Sequence, residues 1–432
     1  MDWQIKYFPE YREGKRLSYP NVPKESGKYA RSMVIGNLIF ISGCTGQDNV
    51  KGTPISDKFE EQMNIALLAV KMAMEEAGSS MDNIVKTVML IKHLKDYPTM
   101  RRTEVEYYIE NAPYLVDNPP ASTFIAPASL ARSEFLIEID VIGVLDRESP
   151  QWEVNYYPDF WADKKLAYPY VPKEHPKFAR TEIVGNFVMV SGCEALNTDT
   201  LKTETMDVKE QTRICLEKVK LGMEEIGSSI NNLVKTYVLL TRIEDLALYR
   251  EAEREFFINN SPELLKHPPA STVINVASLA RLEFLVEVEA FGVVDKDREG
   301  WESRYYPEES QQGTIASRSG SIGNLVFLSG IDGSNPTGGT METDNLEEQV
   351  RAAFDKVNTY LKKSGSSLDK IVKTFMLLKN RNDYGAMRKA EVEYYQKHAP
   401  HLVDYPPVST FMYLSSFANP RALFEVDVTA IK

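Results

Sequence analysis

Residues 119–123 read Pro119-Pro120-Ala121-Ser122-Thr123, and nearly the same five return as Pro268-Pro269-Ala270-Ser271-Thr272 and Pro406-Pro407-Val408-Ser409-Thr410. One unit is written three times. Val85-Lys86-Thr87 upstream answers to Val234-Lys235-Thr236 and Val372-Lys373-Thr374, and Ile137-Glu138 downstream to Val286-Glu287 and Phe424-Glu425. The first two copies differ by one constant shift of 149 residues, from Trp3 to Trp152 and from Glu138 to Glu287. In the third copy Trp301 keeps this spacing, but Gly323, Lys373, Ser409 and Glu425 come 11 residues early. The missing piece corresponds to the Pro-rich arm around Tyr19-Pro20-Asn21-Val22-Pro23 and Tyr168-Pro169-Tyr170-Val171-Pro172. The chain therefore divides into repeats at 1–147, 148–297 and 298–432, each long enough for its own core.

Within a unit the hydrophobic period changes in a fixed order. Met33 to Ile41, broken by Gly36-Asn37, predicts a hairpin, because Gly-Asn supplies the positive φ of a tight turn. Phe59 to Ala77 sets Met63, Ala66, Leu67, Val70 and Met74 on one helical stripe, stopped by Gly78. Ile84 to Ile91 predicts a buried strand. A second helix is expected from about Tyr97 to Asn111, ending before Pro113. Strands near Thr123–Ile125 and over Phe135–Val144 close the unit. The order β-β-α-β-α-β-β with a mainly antiparallel sheet is an α+β fold.

Composition narrows the partners. The 432 residues carry a formal net charge of −12, which repels phosphate backbones and anionic lipid, so neither nucleic acid nor membrane is expected as a partner. Three cysteines, Cys44, Cys193 and Cys215, make no disulfide framework and point to a reducing compartment. With no apolar run near 18 residues and no apolar leader at Met1–Lys6, a cytoplasmic protein is expected. The five histidines lack metal-ligand spacing and no Gly-rich phosphate loop occurs, so neither a metal nor a cofactor is expected.

Gly-Asn-Leu-Ile-Phe-Ile-Ser-Gly (36–43), Glu-Glu-Ala-Gly-Ser-Ser (75–80), Ile-Val-Lys-Thr (84–87), Pro-Ala-Ser-Thr (120–123) and Leu-Ile-Glu-Ile-Asp (136–140) resemble the YjgF-like, reactive intermediate deaminase (Rid) family. All three repeats carry the motifs. The resemblance implies chorismate-mutase-like domains that assemble in threes, with ligand clefts between neighbours. Three copies in one chain then imply a pseudo-trimer folded from one polypeptide, with outer helices around a central barrel and room for further self-association. The resemblance also implies hydrolysis of reactive enamines or imines by a carboxylate-binding arginine and a water-positioning glutamate. The glutamate falls on Glu138, Glu287 and Glu425. The arginine falls on Ser122, Ser271 and Ser409, and a neutral hydroxyl cannot give the bidentate clamp of a guanidinium. The family's tyrosine falls on Tyr29, Phe178 and Ala316, so three unequal clefts are expected.

Other recurrent residues are candidates for the same clefts. Arg31, Arg180 and Arg318 precede the first hairpin, and an anion site is favoured for them over a salt bridge between repeats. Arg101, Arg250 and Arg388 lie three residues before Glu104, Glu253 and Glu391, which favours a helical charge pair on a solvated face over anion binding. Ser42 with Cys44, Ser191 with Cys193, and Ser329 fall at a strand end that the resemblance implies lies beside the cleft; the two cysteines read better as small buried hydrophobes than as nucleophiles. Cys215 reads as core. Lys86, Lys235 and Lys373 read as structural, at the wet end of an outer strand. Glu138 and Asp140, with Glu287 and Glu289, and Glu425 and Asp427, form same-face acid pairs fit for general acid/base work. The preferred reading is a hydrolase or deaminase acting on a small polar metabolite. A non-catalytic metabolite-binding or scaffold protein is the alternative, and RNA cleavage ranks below both.

Overall fold

In the computed structural model of the chain, the described residues are 3–12, 15–16, 29–48, 52–158, 160–161, 164–165, 178–197, 200, 202–307, 316–336 and 339–432. The two Pro-rich arms lie outside them. The first unit builds the predicted hairpin from Ala30–Ile35 and Leu38–Thr45, turning at Gly36, whose φ of 60° is open to glycine. Helix Phe59–Glu76 buries Met63, Ala66, Leu67, Val70 and Met74 and stops ahead of Gly78. Strand Ile84–Ile91, helix Tyr97–Asn111, a short helix Tyr114–Asp117 and strands Ala121–Ile125 and Ile137–Val144 complete the predicted order.

One strand was not foreseen. Ile5–Pro9 pairs with Ala30–Ile35 at the sheet edge, and Val154–Pro158 and Ser303–Tyr306 do the same in the other units. Across the first unit the strands lie in the order 5–9, 30–35, 38–45, 137–144, 84–91, 121–125. Only the last pair is parallel. The fold is α+β, in three tandem chorismate-mutase-like domains.

Alternation along each strand sends side chains to two kinds of core. Val34, Ile39 and Ile41 meet the unit's own helices, whereas Met33, Ile35, Leu38 and Phe40 enter a core shared by all three units. At one end of that shared core Trp3, Trp152 and Trp301 meet edge to face, with centroids 4.8 to 5.4 Å apart. A second shared core holds Leu90, Leu239 and Leu377. Among the described residues no helix is long and apolar enough to cross a membrane.

The opening pentapeptide forms the seams. The Pro120 carbonyl accepts from the Ala179 N–H (3.1 Å), Pro269 from Ser317 (3.0 Å) and Pro407 from Ala30 (3.1 Å). The third bond returns to the first unit, so the units close a ring. The same interfaces carry buried ion pairs: Lys86 to Glu289 (3.2 Å), Lys235 to Asp427 and Lys373 to Asp140. This corrects the reading of the lysines as wet: Lys86 and Lys235 are fully buried, and each reaches an acid of another unit. Their role is structural, as expected, by a different cause.

Candidate functional site

Each cleft begins at a Ser-Gly break in a central strand. Ser42 Oγ donates to the Ala30 carbonyl (2.6 Å) and accepts from the N–H of Ser409 (2.8 Å) in unit three. Ser191 does the same with Ala179 and Ser122, and Ser329 with Ser317 and Ser271, at matching distances. These hydroxyls join the units. The glycine after each serine leaves room for the glutamate: a Cβ on Gly43, Gly192 or Gly330 would sit 1.9, 1.9 or 2.1 Å from the carboxylate of Glu138, Glu287 or Glu425.

Those three glutamates are buried at the seams. Burial, reinforced by the acid two residues on, pushes the Glu138 carboxyl up to about 8. Glu425 is likewise pushed up to about 8, by burial and then by Asp332 and Asp427. Burial raises Glu287 well above the usual carboxylate range, with Glu194 beside it. Glu138 Oε1 accepts from the N–H of Phe411 in unit three at 3.4 Å, and its Oε2 has no hydrogen-bond partner among the described residues. In each expected acid pair the second acid raises the glutamate and is itself held by partners. Asp140 is held by Lys373 and Thr410, Glu289 by Lys86, and Asp427 by Lys235, Tyr237 and Thr272.

The second-helix arginines are placed where sequence spacing did not put them. Arg101, Arg250 and Arg388 do pair with Glu104, Glu253 and Glu391 (2.9, 2.7 and 2.8 Å), but not on a solvated face. Each pair is packed inward, and the guanidinium goes on to donate to the pentapeptide serine: Arg101 to Ser122 (3.4 Å), Arg250 to Ser271 (3.1 Å), Arg388 to Ser409 (3.0 Å). A guanidinium from the second helix thus stands beside each pentapeptide serine.

Arg31 lies within one unit's reach, bonded to Glu10 and Glu76 at 3.2 Å each, and Arg180 to Glu225 at 2.6 Å. Arg318 lies over the Tyr360 ring, 5.7 Å from its centroid. Tyr29, Arg31, Ser42 and Cys44 come together on one cavity of about 40 Å³ with Glu10 and Gln47. Burial, with Glu10 and Glu138 nearby, pushes the Cys44 thiol far up, which disfavours a thiolate nucleophile. Cys193 and Cys215 are buried, and Cys215 lies in the helix core of its unit.

Comparison with known proteins agrees with this fold. The family described as Endoribonuclease L-PSP matches three times, over residues 20–145, 172–294 and 316–432. The chain belongs to the Endoribonuclease L-PSP family. It is 32% identical over 119 residues to a RutC family protein of Pyrococcus abyssi, covering 28% of this chain and 87% of the relative. It is 30% identical over 131 residues to a 2-iminobutanoate/2-iminopropanoate deaminase of Escherichia coli, covering 30% of this chain and 97% of that enzyme. A crystal structure of a chorismatase overlays 81% of the chain and 93% of its own length with a TM-score of 0.53 at 10% identity, a likeness of fold.

In this L-PSP family chain, sequence reasoning missed one group. Glu194 and Asp332 lie directly across the strand pair from Glu287 and Glu425, where unit one has Thr45 opposite Glu138. Lys218 and Lys356 approach these acids at 3.8 and 2.9 Å, and unit one has Ala69 at that position. The signal was the joint switch of Thr45 and Ala69 to an acid and a lysine in the other two repeats.

Proposed function

We propose that this chain, a pseudo-trimer of its own repeats, hydrolyses a C–N bond in a small polar metabolite bound in clefts between units. The observation that carries this reading is a carboxyl pushed up to about 8 at Glu138 and Glu425, close to the seam where a serine and a helix arginine meet. At neutral pH such a group is mostly protonated, so it serves first as an acid. The carboxyl gives its proton to an imine nitrogen, and the carboxylate takes one back from the water that adds to carbon. It then protonates the amine of the resulting carbinolamine. The C–N bond breaks, ammonia leaves, and the hydroxyl proton returns to the glutamate as the carbonyl forms. Ser122, Ser271 or Ser409 and the arginine beside each hold the polar end of the substrate in place of a strand arginine. No cofactor enters this proton inventory, and three free cysteines fit a cytoplasmic setting.

The relatives named as 2-iminobutanoate/2-iminopropanoate deaminases support the reaction class. The net charge of −12 opposes RNA as substrate. A second reading, a non-catalytic binding or scaffold protein, is favoured for two of the clefts by the near-complete burial of Arg101 and Arg388. The test is Glu→Gln at 138, 287 and 425 together, with ammonia release from 2-iminobutanoate generated in situ as the readout. A loss of about 100-fold or more is expected from removing the acid–base group. An unchanged rate would refute the mechanism.

A further inference from the structure

The repeats also differ inside the ring, away from the seam glutamates. A cavity of about 50 Å³ lies there, with walls from both shared cores and from all three units. Five rings line it: Phe40 from unit one, Tyr237 and Phe291 from unit two, Phe327 and Phe375 from unit three. Tyr237 meets Phe291, and Phe291 meets Phe327, with centroids 5.8 Å apart in both pairs.

Two small side chains make the space. The shifts between repeats make positions 88, 237 and 375 equivalent, and they carry Val, Tyr and Phe. Positions 142, 291 and 429 are equivalent too, and they carry Ile, Phe and Thr. All six line the cavity. Val88 and Thr429 therefore stand where unit two supplies the rings of Tyr237 and Phe291. Three identical copies would surround this point with three rings or with three small residues. One polypeptide mixes them, and the mixture leaves room beside a largely aromatic wall.

Charge reaches that wall already paired. Lys86, Glu289, Lys373 and Asp140 border the cavity, and they are the ion pairs that hold the units together. Lys86 lies 3.2 Å from Glu289 and donates to Thr123 Oγ1 at 2.7 Å, while the Tyr237 hydroxyl donates to Asp427 at 3.0 Å. The two cations and two acids cancel, so a charged guest would leave water without gaining a net countercharge. An apolar guest loses no hydrogen bonds and gains dispersion contacts with the rings. Apolar cavities of about 150 Å³ take benzene or xenon, and one about a third as large takes a single xenon atom or a molecule of about two heavy atoms.

We propose that the inside of the ring is a binding site for a neutral apolar molecule of that size, the class to which dioxygen belongs. Because the walls come from three units, the guest binds the closed ring and stabilises it by mass action. Among the described residues Glu138, Glu287 and Glu425 do not line the cavity, so the inference stands apart from the hydrolase reading.

Xenon is the probe. Xenon NMR of the full chain under xenon pressure should show one saturable site per chain, and the same pressure should raise the thermal unfolding midpoint. Val88→Phe should lose both effects; Phe375 shows that the equivalent position accepts this side chain. Phe375→Val makes the opposite change, and that variant should bind benzene where wild type does not. If Val88→Phe fails to fold, the benzene measurement decides alone. No saturable xenon site in wild type, a xenon site that survives in folded Val88→Phe, or a Phe375→Val chain that rejects benzene would overturn the proposal.

Discussion

Replacing Glu425 by Gln should make the protein more stable, by an amount that grows with pH. Glu425 titrates near 8 in the folded chain against an ordinary value of 4.5, mainly because it is buried. Between those values the folded state keeps a proton that the unfolded state has lost. Stability tied to this group is therefore full below 4.5 and falls as pH rises toward 8. The slope is about 1.4 kcal/mol per pH unit, so between pH of about 5.5 and about 7.5 wild type loses about 3 kcal/mol that the uncharged Gln variant keeps. Urea unfolding at the two pH values, followed through the tryptophans at the centre of the ring, measures it. The stability gap between variant and wild type should widen by about 2–3 kcal/mol on the alkaline side. The same proton sets activity, which should decline as pH rises through about 8. A stability gap that stays constant with pH would show that Glu425 ionises in the folded protein as it does in water, and the acid step assigned to it would fall.

Two more outcomes test the seams and the thiols. Lys235→Met leaves Asp427 buried without its cation and should cost about 3–5 kcal/mol in urea unfolding, most of which Lys235→Met with Asp427→Leu should restore; equal losses in both variants would mean that the pair is not what holds that interface. The three thiols should resist iodoacetamide near pH 8 in the native chain and all react after denaturation, since burial holds Cys44 and Cys215 protonated. Alkylation of native Cys44 at the rate of a free thiol would contradict its placement.

What the sequence revealed and what it hid follow from the range of the interactions involved. The helix at Phe59–Glu76 was readable because Met63, Leu67, Val70 and Met74 bury on a period fixed by local geometry. The recurrence of serine at 122, 271 and 409 was readable because three copies align. The burial of Lys86 was not readable, because its acid, Glu289, belongs to another unit and register between units leaves no local periodic trace. The pairing of Arg101 with Glu104 was readable from spacing, but the same spacing occurs on wet and dry helix faces. Docking of that helix against Ser122 decides which, and docking is tertiary. Strand Ile5–Pro9 escaped because its exposure does not alternate.

The seams and the rims of the clefts obey different constraints. A closed ring needs the same rotation at every joint, so Pro120, Pro269 and Pro407 meet the next unit through the same bond, and Ser42, Ser191 and Ser329 repeat one pair of contacts. A change at one of these would open a joint that the others cannot compensate. Positions 29, 178 and 316 lie next to the residues whose N–H groups make the joint, and Tyr, Phe and Ala are all compatible with that same backbone bond. In a ring of separate identical chains a substitution alters every cleft at once. Written on one polypeptide, Ala316 and Leu246 open the arginine of a single cleft while Phe178 and Tyr97 keep another covered. A helix arginine stands beside the pentapeptide serine in all three units, and of the three Arg250 is the most exposed, at 26% against 4% for Arg101 and 3% for Arg388.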